Sequence, residues 1–458
     1  MKMRNIVTVL LIAFVLASCA PAAKVVPTEK AIPTSTLIPV TPTSIIIPTS
    51  TPENIADAKD LSKWIDDYVH AYGGKVMVNG IEMDASQLTD EIRMNAKSFI
   101  QTKKVYGIQY LFLLVNDFPL AKMGSENKWQ TVGLKDLIND GFEIGVGLTS
   151  DLQSQTKYWN ILNSNFNQTT IESGFHWKWL EPENGKYDNY QLSLISEQIK
   201  NSSAQNPSSV LRGHPISFAA NNPDWLLKLS KDEATQVLQY HVSDVIKKFP
   251  QIQEWVVVNE PYLSAPQYNY TRPDVLYQII GADYISVAFK AAREANPQAK
   301  LIYNDTLNHS LSSGINSMTT ALTKENIAPL IQQGLIGGVG MQMHIDASRP
   351  PSTDDIVKAM DSYGVPIYIT ELDVDISGLT GNDKEKDTIQ ADFFANILEA
   401  CLSAKQCVSF TFWSIGDKYS WLELYMDKPN ANATPFDDEL KPKSAYYAML
   451  QVLYKHVP

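Results

Sequence analysis

The chain has 458 residues, of which 44% are hydrophobic, and its formal net charge at pH 7 is −12. This length is sufficient for one large domain with accessory segments. The acidic balance disfavours nucleic acid as a partner, because the phosphate backbone repels a negatively charged surface.

The first 19 residues have the features of an export signal. Met1–Arg4 is basic and Ile6–Ala17 is apolar, and the apolar run is too short to span a bilayer comfortably. The following sequence, Leu16-Ala17-Ser18-Cys19, resembles a bacterial lipobox, in which the chain is cut before the cysteine and its thiol is lipidated. We therefore predict a lipoprotein-type signal over 1–19, with Cys19 as the lipidation site and an extracellular, membrane-anchored location. An ordinary secretory signal with a chance cysteine is the alternative.

A Pro/Thr/Ser-rich linker is predicted over 20–52, because proline favours extended backbone and no apolar periodicity supplies a core face. Residues 53–131 are predicted to be a small N-terminal extension of unknown role. Within it, the patterns indicate helices at Ala56–Ala71 and Ser86–Phe99, a strand with a turn at Lys75–Gly80, and a strand or buried helix at Val105–Val115.

From about Leu134, short apolar segments alternate with helical patterns such as Glu233–Phe249, Asp283–Ala295 and Lys386–Ser403. This alternation predicts a (β/α)8 TIM barrel over 132–458. The strand candidates are Phe142–Leu148, Phe166–Ile171, Val210–Ile216, Glu254–Asn259, Lys300–Asn304, Gly338–His344, Pro366–Thr370 and Val408–Trp413. A doubly wound open sheet is the alternative, although the Gly145-Val146-Gly147 turn matches a nucleotide-binding turn only weakly.

Two acidic residues follow apolar strands, which is a costly place for a carboxylate. Glu260 follows the fourth predicted strand and Glu371 follows the seventh. In a barrel, function gathers at the carboxyl ends of the strands, so these two residues are expected to face each other across the mouth. A pair of carboxylates about 5–5.5 Å apart is what retaining glycoside hydrolysis requires.

The barrel region resembles glycoside hydrolase family 10, the endo-β-1,4-xylanases, from about Leu134 to the C-terminus. The resemblance is carried by these motifs in order: Phe166-Asn167, Glu172, Trp177 and Glu181-Pro182; Arg212-Gly213-His214; Val258-Asn259-Glu260; Tyr303-Asn304-Asp305; Gln342-x-His344; Thr370-Glu371-Leu372-Asp373; Trp413; Asp417-Lys418-Tyr419-Ser420-Trp421; and Pro442-Lys443. It implies a retaining endo-1,4-β-xylanase that acts on xylan by double displacement, without a metal or organic cofactor.

The resemblance also implies individual roles. Glu260 would be the acid/base and Glu371 the nucleophile. His344 would hydrogen-bond Glu371, and Asp373 would orient His344. Asn259 would hold the sugar 2-hydroxyl, a contact that strengthens in the transition state. Asp373 as the start of a loop, and His344 as a satisfied core histidine, are the alternatives.

The resemblance further implies that a second group of residues binds the substrate. Glu172, His214 and Gln342 would bind nearby hydroxyls, and Trp413 and Trp421 would wall the site by stacking. A place in the barrel core is the alternative for Trp413.

Cys401 and Cys407 remain besides Cys19. In the oxidising compartment that an export signal implies, they are expected to form a local disulfide, with two buried free thiols as the alternative. A cysteine pair just before the eighth strand is also seen in members of the family. Metal binding is disfavoured, because no nearby histidine or cysteine completes a ligand set.

The chain departs from the family pattern mainly where the sugars before the cleaved bond would lie. The replaced positions are Ser173 (usually Asn), His176 (Lys), Phe218 (Trp), Ala219 (His), Asn221 (Gln) and Thr306-Leu307 (Tyr-Asn). The residues therefore specify the class of reaction more closely than they specify the sugar that is bound. A different β-glycanase or transglycosylase with the same two glutamates is one alternative, and a non-catalytic polysaccharide-binding surface protein is another.

Overall fold

The computed structural model describes residues 75–78, 81–84, 100–105, 108–115, 118–124, 129–172, 174–261, 274–312 and 315–457. The predicted signal, linker and helices at Ala56–Ala71 and Ser86–Phe99 lie outside these ranges. The strands are β1 Lys75–Val78, β2 Ile81–Asp84, β3 Ile100–Val105, β4 Ile108–Val115, β5 Phe118–Met123, β6 Trp129–Thr131, β7 Glu143–Gly147, β8 Gln168–Ile171, β9 Val210–Gly213, β10 Ser217–Phe218, β11 Glu254–Asn259, β12 Lys300–Asp305, β13 Gly338–Met341, β14 His344–Asp346, β15 Ile367–Asp375 and β16 Cys407–Phe412.

Helices alternate with the strands from β7 onwards. They are α1 Thr156–Asn165, α2 Trp177–Leu180, α3 Asn189–Gln205, α4 Lys231–Lys248, α5 Val275–Ile280, α6 Asp283–Ala295, α7 Ile315–Gln332, α8 Thr353–Ser362, α9 Asp383–Ser403, α10 Trp421–Leu424 and α11 Ser444–His456.

Eight parallel strands form a closed barrel. Their order around it is β7, β8, β9, β11, β12, β13, β15 and β16, and β16 pairs with β7 to close the ring. The predicted (β/α)8 fold is therefore confirmed, and the open doubly wound sheet is excluded. Because every strand in the ring runs in the same direction, all eight carboxyl ends meet at one mouth.

Two of the predicted strands differ from those observed in a way that shapes the barrel mouth. The seventh barrel strand, β15, continues to Asp375, five residues past the predicted end, because its second half pairs with β14. The sixth is interrupted between Met341 and His344, where Met343 takes a left-handed backbone conformation with φ of 63°. The interruption separates β14 from β13 and places His344 opposite Asp373 in the register.

The N-terminal extension contains β-structure within its described part. β1 and β2 pair antiparallel, and β3 to β6 form a four-stranded antiparallel sheet. The segment Val105–Val115, predicted as one strand or a buried helix, is divided between β3 and β4. The described residues of this segment therefore form strands and not a buried helix.

The four-stranded sheet packs on the last helix of the chain. The rings of Phe112 and Tyr454 meet edge to face, with centroids 5.3 Å apart. Lys103 Nζ donates hydrogen bonds to the carbonyl oxygens of Tyr454 (3.1 Å) and Val457 (2.6 Å), at the carboxyl end of α11. A cation there complements the negative end of the helix dipole, so the sheet and α11 stabilise each other.

The amino end of the barrel interior holds a buried ion cluster. The fully buried Arg212 donates to Glu254 (2.8 Å) and Glu143 (3.0 Å), and Lys300 Nζ lies 2.8 Å and 2.9 Å from the same two carboxylates. Each charge has an opposite partner, as burial demands. The cluster lies at the end of the barrel away from the mouth, so it supports the strands and does not belong to the site described below.

No helix among the described residues combines the length and the apolar character needed to cross a bilayer.

Candidate active site

The polar residues predicted at the strand ends meet at the barrel mouth. Asn259 ends β11 and Glu260 follows it, while Glu371 lies on β15. Gln342 lies between β13 and β14, and His344 begins β14. Residues up to 83 positions apart are therefore linked by hydrogen bonds, because the barrel brings the ends of neighbouring strands together.

Glu260 is held by an unusual backbone conformation. Its φ is 46°, in the left-handed region that non-glycine residues seldom adopt, and its N–H donates to the Asn304 carbonyl at 3.0 Å. Its Oε1 accepts a hydrogen bond from Gln342 Nε2 at 2.7 Å. Burial raises the pKa of Glu260 to about 7; the Gln342 bond opposes this shift, and the charge of Glu371 adds to it.

Glu371 is buried, with 4% of its surface exposed, and both of its oxygens have partners. Oε1 accepts a hydrogen bond from Asn304 Nδ2 at 2.6 Å, and Oε2 lies 3.3 Å from His344 Nε2. His214 Nε2 lies 3.6 Å from Oε1. Donors on both oxygens fix the direction in which the carboxylate points.

His344 lies between two carboxylates. Its Nδ1 lies 2.9 Å from Asp373 Oδ2, on the side opposite Glu371. Burial alone would lower the pKa of His344, but Asp373 and Glu371 raise it to about 10, so the ring is a cation at neutral pH. Asp373 also accepts a hydrogen bond from Trp421 Nε1 at 2.7 Å, and the rings of Trp421 and His344 lie 4.9 Å apart. Neither the isolated core histidine nor the loop aspartate considered above describes this arrangement.

Asn304 joins the two halves of the site, and the sequence interpretation gave it no role. Its Nδ2 donates to Asn259 Oδ1 at 2.7 Å as well as to Glu371, and its Oδ1 accepts from Thr370 Oγ1 at 2.7 Å. Gln342 Nε2 also donates to Asn259 Oδ1, at 3.3 Å. Two donors on this oxygen fix the orientation of the Asn259 amide. In the sequence, the pattern that could have suggested this role is an amide near the end of the apolar segment that forms β12.

We expect Asn304→Ala to lower the free energy of unfolding by about 1–3 kcal/mol, because it removes the acceptor for the buried Thr370 hydroxyl and one donor to Glu371. The turnover number should fall about 100-fold, since Glu371 loses a donor that fixes its direction. Urea unfolding and initial rates on soluble xylan measure the two effects.

Asn308→Ala is the matched control for that substitution. Asn308 is also fully buried and its Nδ2 donates to the Gly340 carbonyl at 3.0 Å, yet it has no bond to either glutamate. The control should lose similar stability and keep its turnover number within about twofold. Equal losses of turnover in the two variants would show that Asn304 has only a structural role.

The remaining predicted binding residues surround Glu371. Burial lowers the pKa of His214, so its ring is neutral, and it meets the ring of the partly buried Trp413 edge to face at 5.0 Å. Burial alone would raise the pKa of Glu172, but His176, His214 and His344 together lower it. Glu172 is thus an anion close to the histidines that flank Glu371.

Two of the replaced residues pack against each other. The rings of His176 and Phe218 lie 6.0 Å apart, edge to face, and His176 Nε2 lies 3.4 Å from Glu172 Oε1. Phe218 is paired in register with Asn259, which places both rings beside the catalytic strand ends. Ser173 lies outside the described residues. The replacements therefore place two packed aromatic rings, those of His176 and Phe218, beside Glu172.

Cys401 and Cys407 form a disulfide, which joins the end of α9 to the start of β16. Within the described ranges, no group of three or more histidine, cysteine, aspartate or glutamate side chains could hold a metal ion.

Comparison with known proteins agrees with this geometry. The sequence profile described as glycosyl hydrolase family 10 matches residues 133–452. The chain belongs to this family. The matched segment includes every barrel strand and every predicted residue of the mouth.

Individual relatives in this family support the assignment. Endo-1,4-beta-xylanase B of Thermotoga neapolitana is 30% identical over 327 residues, which are 69% of this chain and 88% of the relative. Endo-1,4-beta-xylanase A of the same organism is 31% identical over 334 residues, but the match spans only 30% of that longer protein. The crystal structure of xylanase 10B from Thermotoga maritima aligns with a TM-score of 0.63 and 29% identity, covering 71% of this chain and 98% of that one.

Proposed function

We propose that the protein is a retaining endo-1,4-β-xylanase that hydrolyses internal bonds of xylan. The proposal rests on two carboxylates at the mouth whose environments differ. Glu260 has a pKa raised to about 7, whereas Glu371 is surrounded by donors. A retaining glycosidase uses one carboxyl as the acid and another as the nucleophile, and the raised pKa of Glu260 suits the acid.

In the first step, Glu371 attacks the anomeric carbon and Glu260 gives its proton to the departing glycosidic oxygen. The carbon–oxygen bond of the leaving sugar breaks as the bond to Glu371 forms, which leaves a covalent glycosyl-enzyme. The Asn259 amide, oriented by Asn304 and Gln342, is available to the 2-hydroxyl of the sugar held there.

In the second step, Glu260 acts in the opposite direction. As a carboxylate it takes a proton from water, whose oxygen attacks the anomeric carbon and displaces Glu371. Two inversions restore the β-configuration. His344, held as a cation by Asp373, stabilises the Glu371 carboxylate when it departs.

The choice of xylan is supported by the relatives. One solved relative, xylanase 10B from Thermotoga petrophila, was crystallised in complex with xylobiose, at 29% identity and a TM-score of 0.63. The altered pair of His176 and Phe218 is the observation that favours a second candidate, another β-glycanase or a transglycosylase using the same two glutamates.

Product analysis separates these candidates. The purified protein should release short xylooligosaccharides from internal positions of xylan, and nuclear magnetic resonance at early times should show the β-anomer first. If the protein acted on a mixed-linkage β-glucan but on no xylan, the assignment of xylan as its substrate would be wrong. A first-formed α-anomer would overturn the retaining mechanism.

We further propose that the protein is an exported lipoprotein, anchored to a membrane surface through Cys19. Support comes from the basic leader, the short apolar run and Leu16-Ala17-Ser18-Cys19. In a bacterial host, labelling with a radioactive or alkynyl fatty acid should mark the wild-type chain but not Cys19→Ala. Label retained by the Cys19→Ala variant, or wild-type protein found wholly in the medium, would argue for an ordinary secretory signal.

A further inference from the structure

Two tryptophans of the short helix α2 have opposite environments. Trp177 is buried, stacks on the ring of His241 at 3.8 Å and donates from Nε1 to Glu181 at 2.9 Å. Trp179 has 51% of its surface exposed. Trp177 is the aromatic residue by which this helix packs on the core. The exposed Trp179 does not contribute to that packing, so its presence needs another explanation.

The exposed ring of Trp179 is held flat against its neighbour. It stacks on the ring of His176 with centroids 4.9 Å apart and an angle of 14° between the planes. His176 covers one face of the indole. Because half of the residue remains accessible, the opposite face is turned to solvent.

This stacked pair is continuous with the active site. His176 Nε2 lies 3.4 Å from Glu172 Oε1, and the ring of His176 meets that of Phe218. Phe218 is in register with Asn259, the residue before Glu260. The path from Glu260 to Trp179 thus passes through adjacent side chains on the same side of the barrel mouth.

We propose that the exposed face of Trp179, backed by His176, is a stacking platform for a xylose unit of a substrate that extends from the catalytic site past Glu172. The inference rests on the proposed xylanase function and adds a binding contact to it. A pyranose ring presents C–H groups on its faces, and a flat uncharged aromatic surface removes these from water. Such a contact compensates for hydrogen-bonding groups that are absent nearby.

The test compares long and short substrates. Trp179→Ala should lower kcat/KM on xylohexaose by about threefold to tenfold, the range of an aromatic contact, and should do so mainly through KM. On an aryl β-xylobioside, whose two sugars would occupy the places nearest Glu371, kcat/KM should stay within about twofold of wild type. Trp179→Tyr keeps an aromatic face and should restore most of the activity on xylohexaose.

Tyr240→Ala is the matched control. Tyr240 is another surface aromatic residue, which lies on α4 and is 61% exposed. It should leave both substrates unaffected. A binding measurement adds a readout independent of turnover: calorimetric titration of xylohexaose into Glu371→Gln should show about threefold to tenfold weaker binding when Trp179→Ala is added.

The outcomes separate the platform from the xylanase function. If the wild-type protein cleaves xylan but Trp179→Ala matches it on xylohexaose, the platform is wrong and the function stands. Equal losses on the two substrates would mean that Trp179 only supports Glu172, which also overturns the platform. If the wild-type protein cleaves no xylan, the proposed function itself fails.

Discussion

Glu371→Ala is expected to lower the hydrolysis of xylan by at least about 10⁴-fold, because the covalent intermediate can no longer form. The fold should persist, since the cavity is small and the barrel ring does not depend on this side chain. Release of reducing ends measures the loss, and circular dichroism with a thermal melt checks folding. Glu371→Gln, which preserves the shape and the bond from Asn304, should be equally inactive.

Azide identifies the role of Glu371 directly. In the space left by Glu371→Ala, azide can attack an activated aryl xylobioside in a single displacement and give the α-glycosyl azide, with inverted configuration. Unchanged hydrolysis of xylan by Glu371→Ala, or a β-glycosyl azide from it, would contradict its assignment as the nucleophile.

The wild-type protein is expected to lose activity on xylan as the pH rises through about 7. Glu260 must carry a proton to act as an acid, and burial together with the charge of Glu371 raises its pKa to about 7. Below that pKa the acid form dominates, and above it the carboxylate cannot protonate the leaving sugar. The alkaline limb of kcat/KM reports the pKa of the free enzyme, so it should have its midpoint near this value.

Glu260→Gln should remove that limb. Its activity on xylan should fall about 10²–10⁴-fold, the usual contribution of a positioned general acid. An aryl xylobioside with a good leaving group needs no proton in the first step, so formation of the glycosyl-enzyme should be much less affected. Azide should then rescue turnover with a β-glycosyl azide, the configuration opposite to that from Glu371→Ala.

A limb that persists in Glu260→Gln would assign the titration to another group. Asp305 is the group to test next, because burial and the charge of Glu260 raise its pKa well above the usual range. Asp305→Asn would then be expected to shift the limb, whereas in the mechanism proposed here it should leave the midpoint nearly unchanged.

The barrel and its two glutamates could be predicted because they depend on local patterns. Apolar strands such as Glu254–Asn259 and helices such as Asp283–Ala295 have the same bounds in the sequence prediction and in the structure. An acidic residue after such a strand can be recognised without knowing its neighbours. The barrel topology then brings Glu260 and Glu371 to the same mouth.

The contacts within the site could not be predicted in this way. The double hydrogen bond of Asn304, and the left-handed conformation of Met343 that separates β14 from β13, depend on distant strands. The extension of β15 to Asp375 has the same cause, since its partner β14 lies 29 positions earlier in the register. Pairing of this kind is specified by tertiary structure and not by the local residue pattern.

The hydrogen bonds of Lys103 to the end of α11 have a consequence for the order of events during synthesis. They join residues 351 and 354 positions apart, so Lys103 leaves the ribosome long before its acceptors exist. Until the last residues follow, Phe112 lacks the ring of Tyr454 that covers it in the finished protein. The N-terminal sheet therefore reaches its final packing only once α11 and Val457 have been made, and removal of residues 444–457 would expose the face of the sheet that they cover.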